Sequence, residues 1–170
     1  MGKLYVIDTS SLARLRPYNE TSDYDLLVFP GILDALQILI DTRKLFSSLL
    51  VFKELENYYS DAGDEFLDWL NSNKEIFLPP TSSIQKHVKS VLSNFPKWID
   101  VEKKSNDADP FVVATAIELN ATVISEEKKI LVQQNTKKIK IPNVCDHYNL
   151  ESQNILTLLR NEDFKFIMSR

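Results

Sequence analysis

The sequence predicts an α/β protein, a three-layer α/β/α sandwich around a central, mostly parallel sheet. Three observations lead there. The strand candidates are short, unbroken apolar runs instead of strict alternations, which marks strands buried on both faces. They alternate along the chain with stretches of helical periodicity, the signature of parallel strands joined by crossover helices. The 170 residues suffice for one core, burying roughly 70% of the surface the unfolded chain exposes, so residues 1–170 are expected to form a single domain.

Residues 3–7 read as the first buried strand, ended by Asp8-Thr9-Ser10-Ser11. Residues 16–25 are polar and carry Pro17, Asn19 and Ser22, a loop composition. Pro30 opens a helix whose Leu33, Leu36 and Ile40 keep a core-facing spacing. Residues 45–47 form a second short strand, and a helix follows from about residue 49 with Val51, Leu55, Tyr58 and Tyr59 on one face. Residues 64–73 give another helix, turning Phe66, Leu67 and Leu70 inward. Pro79-Pro80 is a stop, and Thr81 caps a helix on which Ile84, Val88, Val91, Leu92 and Phe95 share a face until Pro96. Residues 97–106 are charged and exposed. The helix at 110–119 is apolar almost throughout, so it is buried on most sides, and Asn120 is a left-handed stop. Residues 121–124 and 138–141 read as two further strands, the latter closed by Pro142, and the last helix runs from about 151 to 160.

Composition excludes several classes of function. Hydrophobic residues make up 44% and charged residues 26%, the balance of a globular protein and not of a disordered one. The longest apolar runs, 33–40 and 111–117, fall far short of the ~20 residues a membrane helix needs, so no membrane association is expected. The N-terminus reaches Asp8 too soon for a signal peptide, and the lone Cys145 permits no internal disulfide, which together point to the cytoplasm. Three glycines leave no Gly-rich phosphate cradle, so nucleotide cofactors are not expected. The net charge of −4 argues against a nucleic-acid binder that uses its whole surface, but leaves room for an acidic metal site flanked by basic strips.

In a parallel sheet, ligands bind at the carboxyl ends of the strands, so the acids there carry the functional question. Asp8 follows the first strand, and Glu126-Glu127 follow residues 121–124 after Ser125. Asp107 and Asp109 precede the buried helix, and Glu54 and Glu56 lie on the helix after the second strand. With Val51, Leu55, Tyr58 and Tyr59 inward, Glu54 sits about 75° from the centre of that face and Glu56 about 125°. Glu54 can therefore reach a half-buried site, while Glu56 is solvated. Four carboxylates within ~6 Å of one another repel by roughly 3 kcal/mol per pair at an effective dielectric of ~20. Either some are protonated or a cation neutralises them, and hard oxygen ligands suit Mg²⁺ or Mn²⁺. Each acid also has a plainer reading: Asp8 can end a strand and bond to turn amides, Asp109 can serve a helix start, and Asp107 can be a loop acid.

The set resembles the PIN-domain nucleases, the group that includes VapC-type toxins. The resemblance rests on Tyr5-Val6-Ile7-Asp8-Thr9-Ser10, Val51-Phe52-Lys53-Glu54-Leu55, Ala108-Asp109-Pro110-Phe111-Val112-Val113-Ala114-Thr115-Ala116, and Ala121-Thr122-Val123-Ile124-Ser125-Glu126-Glu127-Lys128. The segment from Lys140 to Tyr148 further resembles a bacterial PIN-like subgroup long catalogued as a domain of unknown function. The resemblance implies a PIN-like fold and an acidic quartet of Asp8, Glu54, Asp109 and Glu127, of which Asp8, Asp109 and Glu127 bind metal, with Ser10 and Ser125 as supporting hydroxyls. The family usually has Asp where Glu127 stands, and Glu126 or Asp107 can take that place. It implies Mg²⁺- or Mn²⁺-dependent hydrolysis of phosphodiester bonds, usually in RNA, by a metal-activated water. It also admits a cognate antitoxin and a second copy of the chain as partners.

Arg14 and Arg16 after the first acid, and Lys128, Lys129, Lys137, Lys138 and Lys140 after the last, can track phosphates beside such a site. Tyr58, Tyr59 and Trp98 can stack bases or pack in the core. Cys145 and His147 are too few for a metal set, and Cys145 reads as a buried thiol. A haloacid-dehalogenase-like phosphatase also sets an Asp after its first strand, but needs a second Asp two residues on, where Ser10 stands. The alternatives are a catalytically silent PIN-like module that binds RNA or protein, favoured by Glu at 127, and a nuclease acting on DNA.

Overall fold

A computed structural model of the protein describes residues 2–15, 24, 29, 31–59, 65–98, 108–131 and 139–166. Five strands form one sheet: β1 (Tyr5–Ile7), β2 (Leu45–Ser48), β3 (Phe77–Leu78), β4 (Thr122–Ile124) and β5 (Ser152–Gln153). Their order is β3-β2-β1-β4-β5 and every pairing is parallel. The helices are α1 (Thr9–Ala13), α2 (Gly31–Asp41), α3 (Leu49–Tyr58), α4 (Glu65–Ser72), α5 (Ser82–Asn94), α6 (Asp109–Leu119), α7 (Ile141–His147) and α8 (Ile155–Asn161). The sheet is flanked by helices, so the architecture is the α/β/α sandwich that the pattern predicts.

Burial explains why the strands read as continuous apolar runs. Tyr5, Val6 and Ile7 in β1 and Val123 and Ile124 in β4 are all buried, as both faces of a covered parallel sheet require. Helix α6 contacts β1, β2 and β4, and α5 packs on α6. Covered from both directions, α6 buries Val112, Val113, Ala114, Thr115 and Ala116, which accounts for its near-uniform apolarity. Pro110 sits in its first turn, where the missing N–H costs nothing, and Asn120 closes it in a left-handed conformation at φ 49°, ψ 49°. Thr81 caps α5 by accepting the Ile84 N–H at 3.3 Å.

The order places β1 at the centre. The chain builds β2 and β3 outward on one side, then returns to add β4 and β5 on the other. The reversal falls between β1 and β4, which leaves a crevice beyond their carboxyl ends.

Several expectations are corrected. Residues 139–141 do not form a strand: Ile139 and Lys140 lie outside regular structure and Ile141 begins α7, with Pro142 in the first turn of a helix instead of at a strand's end. Tyr58 is 70% exposed, and Phe52 takes the inward position beside Val51 and Leu55. Helix α2 turns Ile32, Ala35, Leu36, Leu39 and Ile40 inward, leaving Leu33 half-buried. Three short elements go unread from sequence: α1, β3 and β5. The last helix starts at Ile155, capped by Asn154, whose Oδ1 accepts the Thr157 N–H at 2.9 Å. Pro30, most of the loop expected at 16–25 and all but the start of the charged stretch at 97–106 lie outside the described residues. Among the described residues no helix is long and apolar enough to cross a membrane.

Candidate active site

Asp8 is the first residue past β1, and its extended backbone (φ −92°, ψ 173°) lets it cap α1. Its Oδ1 accepts the Ser11 N–H at 2.7 Å. Its Oδ2 accepts the hydroxyls of Ser10 and Ser125, each at 2.7 Å. Ser125 is the first residue past β4, so one carboxylate ties together the two strand ends that flank the crevice. The residue is only 1% exposed, and no basic side chain among the described residues bonds to it. Burial pushes the Asp8 carboxyl above the ordinary range, and the bonds from Ser125, Ser10 and Ser11 pull it back only in part.

Glu54, half-buried on α3, joins two other parts of the same edge. Its Oε2 accepts the Thr9 hydroxyl at 2.6 Å and its Oε1 accepts the Ala108 N–H at 2.9 Å. Thr9 follows Asp8 and Ala108 precedes Asp109, so Glu54 links the neighbours of both aspartates. Asp109 is half-buried in the first turn of α6. Glu56 is exposed, as its helical position predicts.

The two glutamates after β4 serve helix starts. Glu127 Oε2 accepts the Ile141 N–H at 2.9 Å and Oε1 accepts Lys140 Nζ at 2.5 Å. Glu126 Oε1 accepts the Ile155 N–H at 3.0 Å and Oε2 the Tyr24 hydroxyl at 3.0 Å. The main-chain N–H of Glu126 donates to Ser10 Oγ at 3.2 Å and that of Glu127 to Ser125 Oγ at 3.1 Å. These two acids thereby hold α7 and α8 against the carboxyl end of β4.

Beside them opens a cavity of about 510 Å³ whose lining includes Ser125, Lys128, Gln153 and Thr157. Lys128 and Lys129 are exposed, Lys129 paired with Asp146, and Arg14 is half-buried. Asp107, Arg16, Lys137 and Lys138 lie outside the described residues. Trp98 is buried and packs edge-on against Phe95, which leaves it to the core. Cys145 is also buried, its thiol pushed up to about 12 by burial first and then by the charges of Asp146 and Asp8. It stays protonated, which removes the one soft donor from the surroundings.

In kind, the remaining donors fit a hard divalent cation: the carboxylates of Asp8, Glu54 and Asp109 and the hydroxyls of Thr9, Ser10 and Ser125. In placement, no group of three or more His, Cys, Asp or Glu side chains among the described residues lies close enough to hold one. Thr9 and Lys140 gain importance here beyond their sequence signal. Thr9 was a hydroxyl beside a candidate acid, and Lys140 was one lysine among several.

Residues 5–166 match the family model described as Domain of unknown function (DUF4411), a match that spans every acid described above. No curated protein matches the chain.

Proposed function

The chain belongs to the DUF4411 family, and from the geometry of its sheet edge we propose that it is a Mg²⁺- or Mn²⁺-dependent endoribonuclease. The observation that carries this reading is Asp8. It is an acid 1% exposed, at the crevice where the chain reverses across a parallel sheet, held by two hydroxyls and an amide. Burying a carboxylate there opposes folding, so its position is better explained by chemistry than by stability.

The acids proposed to hold the metal are Asp8, Glu54 and Asp109, whose side chains must draw closer together than in this structure to share one ion. When bound, such a cation lowers the pKa of a water and neutralises charge building on the phosphate in the transition state. The protein's own groups prepare the rest. Ser10 and Ser125 orient the Asp8 carboxylate, while Thr9 and the Ala108 amide orient Glu54. Glu126 and Glu127 fix α7 and α8 at the crevice. Arg14, Lys128 and Lys129 supply positive charge for a polyanion that must approach a protein of net charge −4.

Incubation of a single-stranded RNA with Mn²⁺ and the wild type, Asp8→Asn or Asp109→Asn tests the assignment. Each substitution should lower cleavage by about 10²–10³-fold or more, the scale on which losing one charge-stabilising group is felt. An unchanged circular dichroism spectrum secures the comparison. Full activity in either variant removes the acidic site. Growth arrest on expression, relieved by a neighbouring gene product, would mark a toxin with an antitoxin partner; RNA maturation without arrest would mark a processing enzyme.

A second reading, a silent module that binds RNA or protein, is favoured by one observation. Glu126 and Glu127 both commit their carboxylates to helix starts. RNA binding by the wild type without Mn²⁺-dependent cleavage would select it.

A further inference from the structure

The hydrogen bonds around Asp8 continue past the acids. Ser125 Oγ, which donates to Asp8 Oδ2 at 2.7 Å, accepts the Glu127 N–H at 3.1 Å. Glu127 Oε1 in turn accepts Lys140 Nζ at 2.5 Å, and its Oε2 is held by the Ile141 N–H at 2.9 Å. Both oxygens of Glu127 are occupied and its side chain is 17% exposed, so it is pinned in place. Lys140 is not. Its side chain is 45% exposed, and among the described residues only Glu127 bonds to its ammonium, which has three donors. The Glu127 hydrogen bond holds Lys140 in its charged form against a partial loss of solvent, and the charges of Glu127 and Asp109 add to this. Lys129 also bonds to one carboxylate, but that of Asp146 is 49% exposed and is not held in place as Glu127 is.

We propose that Lys140 grips the phosphodiester of the polynucleotide beside the reacting bond, and that Glu127 is the positioning residue that aims it. This rests on the nuclease reading of the crevice. The donors left over on Lys140 would take a non-bridging phosphate oxygen, at the end of a hydrogen-bond chain that starts at Asp8. The length of Glu127 also acquires a reason. Its carboxylate spans Lys140 on one oxygen and the start of α7 on the other, while its own N–H stays on Ser125.

The test measures affinity for a short single-stranded RNA in EDTA as a function of salt, for the wild type, Lys140→Ala, Lys140→Arg and Glu127→Gln, with melting temperatures as the folding control. In parallel, Mn²⁺ is titrated into the wild type and Glu127→Gln. Lys140→Ala should make the slope of log K against log salt shallower by about 0.7, the loss of one phosphate contact on a single strand. Lys140→Arg should restore it, and Glu127→Gln should bind Mn²⁺ as the wild type does while showing the shallower salt slope of Lys140→Ala in the same RNA series. A wild-type slope in Lys140→Ala overturns the phosphate role, and a wild-type slope or a tenfold loss of Mn²⁺ affinity in Glu127→Gln overturns the positioning role. Loss of slope in Lys140→Ala without Mn²⁺-dependent cleavage by the wild type would uphold the contact and defeat the nuclease reading alone.

Discussion

Asp8 is costly to bury, and its energetics can be read by titration. Burial holds its folded pKa above the unfolded value, although Ser125, Ser10 and Ser11 donate to it. Such a group binds more protons in the folded state, so its contribution to stability is greatest below the ordinary carboxylate range and is lost as pH rises through the folded pKa. Asp8→Asn removes that titration. The variant should melt higher than the wild type at pH 7. The gap should close as the medium is acidified towards about pH 4. Melting curves across that range check it, and a variant less stable at neutral pH would show that the carboxylate is structural. At this scale the sequence was informative about position and silent about partners. Asp8 and Asp109 could be placed from a strand end and from the Pro110 helix start. The roles of Glu126 and Glu127 could not, because the amides they cap lie 29 and 14 residues downstream.

Elements were legible where a local signal stood on its own. Thr81 after two prolines and the apolar face from Ile84 to Phe95 define α5, and Asn120 marks the end of α6. At φ 49° Asn120 is one of the few residues that bear a left-handed backbone. Asn120→Gly should therefore leave stability nearly unchanged, while Asn120→Val should cost about 1–2 kcal/mol in urea unfolding. Equal midpoints for the two variants would contradict the strain argument. Elements were illegible where the signal was short or double-edged. Strands β3 and β5 are two residues each, too brief for any periodicity. Ile139-Lys140-Ile141-Pro142 reads as a strand with a stop, yet proline is equally at home in a helix's first turn, and α7 uses it so. Spacing alone puts Tyr58 inward, but the buried face of α3 is Val51, Phe52 and Leu55, with Phe52 packed edge-on against Phe77.

At the scale of the molecule, the two ends of the sheet divide the work. The amino end carries polar ties around a cavity of about 800 Å³ whose lining includes Lys3, Lys44 and Glu151. Lys3 pairs with Glu151, and Glu162 accepts the Tyr5 hydroxyl and Lys44 Nζ, each at 2.6 Å. Burial opposes the Glu162 charge, but Lys44 and Tyr5 together hold its carboxyl below the ordinary range. Glu162→Ala should cost about 1–3 kcal/mol by stranding these partners, and should leave Mn²⁺ affinity untouched because the crevice lies at the opposite end. A loss of Mn²⁺ affinity in that variant would mean that the two ends are coupled. The carboxyl end is where the topology reverses and where the acids gather. That much followed from the alternation of apolar runs and helices, whereas the strand order, and with it the location of the crevice between β1 and β4, required the three-dimensional structure. Calorimetric titration of Mn²⁺ into the wild type and Asp8→Asn probes the metal assignment with no need to know the substrate. Saturable binding by the wild type should be lost in the variant. Equal binding by both proteins would place the metal elsewhere and contradict the assignment.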